Sequence, residues 1–408
     1  MKRFLILLGR ASLSTLMLYG VTLAAAASGQ TMFSSGSTGA DGPLSFDPPL
    51  PGDPPIEQVI DMSAKPEGVW NYTTINIPAG VNVSFTKNAA NSGVIWLATG
   101  DVKIAGEINL DGANGTLNVA RGNEAPGGAG GFAGGRGGGR SDVSGSQAGT
   151  PGEGPGGGAP GMSCNAYGSN GSYGSAGPAG LAGPTLLGGS GGGGSGSCAH
   201  SDGSNGGGGG GAIVIASSGG IRIDGTVHAN GGTGASVCND FFCIYEGTGS
   251  GGAIRLVANR IEGSGTISAT ASSPIGGSPG VIRTEAFVFA LTNLTNPIAQ
   301  QDAPHSLNFA SPGSIRITSI AGWAVPVPPG GNTASPDVIF SQAGPITVSL
   351  TTTNIPQGTR LTVRVVTVGQ VISVLSNLVD SAGNASATLT VPAGFGTIQA
   401  FAEYTVMP

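Results

Sequence analysis

Charge is scarce in this chain: Asp, Glu, Lys and Arg make up only 9% of its 408 residues. Aromatic residues are scarcer still at 5%, and there are three histidines and four cysteines. Ordinary disorder needs high net charge and few apolar residues, whereas 39% of this chain is apolar. Long helices are disfavoured by the 77 glycines, because each costs about 1 kcal/mol in a helix interior relative to alanine. What remains is a glycine-rich, β-dominated protein with room for two or three domains.

Basic clusters are lacking beyond the first residues. Met1-Lys-Arg3, the apolar run Ala11 to Leu23 and the small residues Ala25-Ala26-Ala27 have the form of a secretory signal peptide, with the mature chain starting near Ser28. The run is short for a membrane anchor, and no later apolar run is long enough to span a bilayer. Without Lys2, Arg3 and Arg10 the chain carries 13 basic and 22 acidic residues, a net of −9, which argues against nucleic acid as a partner. The expectation is a secreted or cell-surface protein. Four cysteines in an exported chain suggest two disulfides with three possible pairings, of which the simplest joins Cys164 to Cys198 and Cys238 to Cys243. No spacing resembles a zinc site or a redox pair, so no metal and no cofactor are expected.

Repetition is what the sequence has in quantity. Gly93-Val-Ile-Trp-Leu97, Gly211-Ala-Ile-Val-Ile215, Gly252-Ala-Ile-Arg-Leu256 and Gly280-Val-Ile-Arg-Thr284 start alike. The first three are each followed by a second alternating segment: Val102 to Leu110, Ile221 to Ala229 and Ile261 to Ala269. Recurring strand pairs of this kind indicate stacked β-coils, since one coil cannot bury its apolar face alone. Superimposed on their glycines, the repeats place Ile95, Ile213, Ile254 and Ile282 in one inward column. They place Trp96, Val214, Arg255 and Arg283 outward. In the second strand Lys103, Arg222 and Glu262 form one outward column, and Asn109, His228 and Ser268 another.

Between the first and second repeats lies an insertion, about 114–210, with 37 glycines in the 85 residues from Gly127 to Gly211. Glycines recur every third residue at 128–137, 168–183, 188–194 and 203–209. That period suits a three-residue-per-turn helix that brings neighbours close on one face. Two readings stand: a bundle of antiparallel polyproline-II-like strands, or a flexible linker. After 296 the texture changes. Seven short strands are expected at 315–320, 337–340, 346–351, 360–368, 371–375, 385–391 and 397–404, the pattern of an immunoglobulin-like or fibronectin-like sandwich.

The fold expected is therefore all-β: a parallel β-helix-like β-solenoid with a polyproline-II-like insertion, and a C-terminal immunoglobulin-like β-sandwich. The domains expected are a signal peptide at 1–27, a Pro/Gly/Ser-rich linker at 28–67, the solenoid at 68–296, a linker at 297–312 and the sandwich at 313–408. Tyr72-Thr-Thr-Ile-Asn-Ile-Pro-Ala-Gly-Val-Asn-Val83 and Gly100-Asp-Val-Lys-Ile-Ala-Gly-Glu-Ile-Asn-Leu-Asp-Gly112, followed by the glycine-rich segment, resemble a class of exported bacterial glycine-rich β-solenoid proteins. The resemblance covers most of the mature chain through degenerate motifs and brings no catalytic residues with it. The glycine triplets are similar in texture to glycine-rich adhesin tips and antifreeze bundles.

Chemistry-bearing residues are few. His200 and His305 fall in loop or linker sequence and read as solvated. Coils stack about 4.8 Å apart, so Arg222, Asp224, His228 and Glu262 are candidates for one polar patch with acid–base chemistry on a polysaccharide. The alternative for the same residues is a solvated sheet face with cross-strand charge pairs. Asp111-Gly112 and Asp224-Gly225 read as turns. Three functions follow in order of preference: a non-enzymatic structural or adhesive protein, a polysaccharide lyase or hydrolase, and a glycan- or ice-binding module. The partners expected are an extracellular polysaccharide or another surface protein.

Overall fold

A computed structural model describes residues 32–88, 90–117, 124–139, 148–162, 167–171, 187–197, 202–238, 243–245, 247–271, 277–292, 295–307, 314–327, 336–341, 343–367, 370–394 and 396–402. The expected signal peptide, His200, Cys164 and Cys198 lie outside them. The described chain is all-β with mostly parallel pairing, and its one helical turn is the 3-10 helix Met62–Ala64.

The chain passes alternately between two parallel sheets. β1 (Gly42–Ser45) lies in the first sheet and β2 (Ile56–Asp61) in the second. β3 (Val69–Ile77) and β4 (Val81–Thr86) repeat the step, followed by β5 (Val94–Ala98), β6 (Val102–Ile104) and β7 (Glu107–Asn109). The next coils are β8 (Ala212–Ile223) with β9 (Thr226–His228), a small hairpin of β10 (Ser236–Cys238) and β11 (Cys243–Tyr245), and β12 (Ala253–Gly263) with β13 (Thr266–Ser268). β14 (Val281–Leu291), β15 (Thr295–Asn296) and β16 (Gln300–Asp302) end the series. The first sheet runs β1-β3-β5-β8-β12-β14-β16, with β6 beside β3 and β8; the second runs β2-β4-β7-β9-β13-β15. Spatial order therefore equals chain order, so each coil rests on the one before it. Two boundaries differ from expectation. The stretch 28–67 supplies β1 and β2 rather than a bare linker, and β16 carries the first sheet past 296.

Alternation decides what lies between the sheets. Ile213, Ile215, Ile254, Leu256 and Ile282 point inward, with Ile108, Val227 and Ile267 facing them from the second sheet, all fully buried. Trp96 is also inside, edge-on to Tyr72 with ring centroids 6.0 Å apart. The register explains this. Val94, not Ile95, stands opposite Ile213, and Trp96 stands opposite Ile215. Alignment on the glycines slips this coil by one residue, and a slip of one turns every side chain to the other face. Ile95 and Leu97 consequently lie on the outer face with Val214, Ala216 and Val257, where Phe33 and Leu307 cover them. Phe33 is held there by Asn259: its N–H donates to Oδ1 at 2.8 Å, and its carbonyl accepts from Nδ2 at 3.2 Å.

From the coil of β7 onward the third side is built, among the described residues, mainly from glycine-rich segments joined by backbone hydrogen bonds, with the β10–β11 hairpin as an excursion from it. Leu110, Gly112 and Gly115 donate to the carbonyls of His228, Asn230 and Thr233, tying 110–116 to 229–235. Residues 202–211 occupy the middle of this layer. They bond to five segments: 110–116 (Gly208 to Ala113), 124–139 (Gly206 to Gly135), 187–197 (Gly192 to Gly207), 229–235 (Gly232 to Gly208) and 247–252 (Gly210 to Ser250). Every residue from Gly206 to Gly211 is glycine, and each has a steric reason. A Cβ on Gly206 or Gly209 would strike the backbone of 187–197, one on Gly207 or Gly210 that of 229–235, and one on Gly208 or Gly211 that of 124–139, all closer than 3.0 Å. Directions repeat every third residue. A segment enclosed on all sides must be bare at every position, whereas one glycine in three frees one face only.

Seven antiparallel strands follow: β17 (Ser314–Ile320), β18 (Trp323–Ala324), β19 (Gly344–Thr353), β20 (Arg360–Thr367), β21 (Gln370–Leu378), β22 (Asn384–Val391) and β23 (Gly396–Ala402). They form a four-stranded sheet, β18-β17-β19-β22, and a three-stranded sheet, β21-β20-β23. Val348, Leu350, Leu361, Val363 and Leu389 fill the space between them. The strand expected at 337–340 is not formed. Its place in the count is taken by β18, which pairs with β17 across the two-residue turn Ala321-Gly322, both at positive φ.

Candidate functional site

Residues singled out in the sequence fall into two separate groups. Arg222, on the outer face of β8, donates from Nε to Asp224 at 2.6 Å and from Nη1 to Glu262 at 3.5 Å. Arg260 donates to the other oxygen of Glu262 at 2.5 Å. The Arg222 hydrogen bond holds Asp224 below the usual carboxylate range, and that of Arg260 does the same for Glu262. Four exposed charges thus neutralise one another on the surface, in the manner of cross-strand pairs worth little to stability.

His228 is not part of that set. On β9 it sits between two carboxylates of the preceding coil: Nε2 is 2.8 Å from Glu107 and Nδ1 is 2.9 Å from Asp111. Burial lowers the imidazole pKa, but the hydrogen bonds and charges of Asp111 and Glu107 outweigh it, and the net shift is upward. Asp111 also accepts from the Asn230 N–H at 2.5 Å, and Asn230 Oδ1 accepts from the Thr270 N–H at 2.9 Å. The result is a ladder of side chains bridging three successive coils at the same corner. Both imidazole nitrogens are occupied, from opposite sides, so the three groups do not converge on one point as metal ligands must. Among the described residues no three His, Cys, Asp or Glu side chains are placed to hold a metal ion.

A third group was not foreseen. Glu285 on β14 is fully buried and accepts from Arg255 Nε at 2.8 Å, Arg255 Nη2 at 3.1 Å and Arg283 Nε at 2.6 Å. The His305 N–H adds a bond of 3.0 Å, and its ring Nδ1 lies 3.2 Å away. His305 therefore does not simply float in a linker. Burial raises the Glu285 pKa, but Arg255, the His305 amide and Arg283 lower it further, and the carboxylate is held charged. The signal for this was Arg255 and Arg283 sharing one outward column. Glu285 was invisible because it looked like one more polar residue in an alternating strand. In the glycine layer the half-buried Glu153 is pushed up to about 7 by burial, with Glu124 adding to the shift and Lys87 opposing it.

Similarity offers no shortcut. No family model, curated protein or solved structure matches the chain. Among the described residues no helix is long and apolar enough to cross a membrane. Function must therefore be read from the arrangement of side chains: charged groups paired with one another, a histidine with both nitrogens engaged, and a glycine layer with backbone in place of side chains.

Proposed function

We propose that the chain is an exported, non-enzymatic structural or adhesive protein. In this reading the two parallel sheets are the walls of a β-solenoid, the glycine layer is a polyproline-II-like bundle forming its third wall, and the C-terminal strands are an immunoglobulin-like accessory module. The observation that carries it is the run Gly206–Gly211, enclosed on all sides by backbone. Such a segment has no side chain with which to bind or react, and a Cβ at any of its positions would strike neighbouring backbone. Its contribution is a thin, close-packed slab, which suits a stalk or a presenting surface for an extracellular polysaccharide or another surface protein. The resemblance to exported glycine-rich solenoid proteins and the N-terminal signal sequence support the location.

A polysaccharide-active enzyme is the second reading, favoured by His228 with carboxylates on both nitrogens. The test is direct. The purified mature protein is incubated with acidic and neutral polysaccharides and with an immobilised glycan array. Retention of glycan without turnover supports the scaffold reading. Turnover lost in His228→Ala or Asp111→Ala, with folding retained, overturns it.

A further inference from the structure

The outer face of β20 and β23 carries a group that neither the solenoid nor the sandwich core needs. Arg364 is only 8% exposed, and among the described residues it has no carboxylate partner. Its Nη1 donates to the carbonyl of Gly154 and, at 3.1 Å, to that of Pro155. Gln399, directly opposite Arg364 across β20 and β23, accepts from the Gly154 N–H at 3.4 Å. Phe401, two residues along the same face, meets Phe132 edge-on with centroids 6.3 Å apart. Its Nε is buried without a hydrogen-bond partner, and a buried guanidinium is expensive unless its donors are satisfied, so the two carbonyls of this turn carry the compensation it has.

The turn is built to receive it. Gly154 has φ +91°, and a Cβ there would collide with the Phe132 ring. Glu153 donates to Ala133 and accepts from Gly191, while the Gly156 N–H donates to Ser190 Oγ at 3.0 Å. The turn is thereby anchored in the glycine layer, with the carbonyls of Gly154 and Pro155 facing the sandwich. A second attachment lies near the other end of the connection, where the His305 amide is held by buried Glu285 and Leu307 rests on the Phe33 cluster.

We propose that Arg364 is the pin of a latch joining the C-terminal sandwich to the glycine layer, so that the two modules move as one body rather than as beads on a tether. The latch stands whether the protein is a scaffold or an enzyme, because it involves none of the residues of either reading's site. It is tested on the mature protein by small-angle scattering and limited proteolysis. Arg364→Met keeps the length of the side chain and removes its donors; Phe132→Ala acts from the opposite side. Each is expected to increase the maximum dimension and to make cleavage between 303 and 314 about tenfold faster, while the sandwich keeps its own cooperative unfolding transition. Unchanged scattering and cleavage in a folded Arg364→Met overturns the latch. Should that variant fail to fold, Phe132→Ala decides alone: expansion supports the latch, and a profile like that of the parent overturns it.

Discussion

His228 Nε2 and Glu107 Oε1 stand 2.8 Å apart across two adjacent coils, and the other imidazole nitrogen is closed off by Asp111. The pair therefore reports on coil-to-coil contact, and protonation of the imidazole strengthens it.

Stability should fall as pH rises through neutrality. The folded pKa of His228 is raised above its ordinary value of 6.5, so its contribution is complete below the unfolded pKa and is lost as pH climbs through the folded one. Glu153 acts in the same direction: its pKa rises from 4.5 to about 7, so the folded state holds a proton that the unfolded state releases between those values. Chemical denaturation midpoints between pH 5 and pH 8 should decline, and Glu153→Gln should flatten the lower half of that decline. A midpoint that rises over this range would contradict both assignments.

Trp96 gives a sharper test of the register. It is fully buried opposite Ile215, so Trp96→Ala should cost about 3–5 kcal/mol. Ile213→Asp and Ile254→Asp should prevent folding, because each places an unpaired charge inside the stack. Val214→Asp should also be severe, since Val214 is buried beneath Phe33, whereas exposed Thr266→Asp on β13 should be mild. Urea melts of the five variants distinguish this register from one in which Trp96 faces solvent.

Much of the coil geometry was legible because alternation is a strong signal. The columns Lys103–Arg222–Glu262 and Asn109–His228–Ser268 are pairs in the ladders. The register of β5 departs from the repeat alignment because Gly93 and Gly211 look equivalent in sequence, and matching them shifts Trp96 outward. Prolines hid β1 and β2: both lie at sheet edges, where a strand tolerates proline-rich flanks. Arg222, Asp224 and Glu262 do meet, whereas His228 is drawn to Asp111, a residue that reads in sequence as a turn. Arg364 depends on a contact with a segment far away in the chain, which no local pattern encodes, whereas Glu285 meets Arg255 and Arg283, which the repeats do place in one column.

Cys238 and Cys243 should form a disulfide. They stand directly opposite in the antiparallel hairpin of β10 and β11, and opposite residues in such a pair have Cα atoms about 4.5–5.5 Å apart, within disulfide range. Closing so short a loop removes about 2 kcal/mol of unfolded-state freedom in the chain-entropy model. Peptide mapping of the unreduced protein should recover the two cysteines joined. Recovery of either one alkylated, or joined to Cys164 or Cys198, would refute the pairing.

The central glycines make the most demanding prediction. Gly207→Ala and Gly209→Ala each add one methyl group, and each methyl meets backbone from another segment, Gly232 in the first case and Gly189 in the second. Backbone cannot swing aside as a flexible side chain can, so close-packed neighbours must shift to admit the methyl. Gly220→Ala is the control. It lies in β8, where the nearest atom to an added Cβ is 3.6 Å away, an ordinary contact, and alanine also limits the freedom of the unfolded chain. Gly207→Ala and Gly209→Ala should therefore raise amide exchange across 187–211 and 229–235, while Gly220→Ala leaves it unchanged or slower. Equal tolerance at all three positions would mean that 202–211 is a flexible linker, and the enclosed slab on which the scaffold reading rests would fall with it.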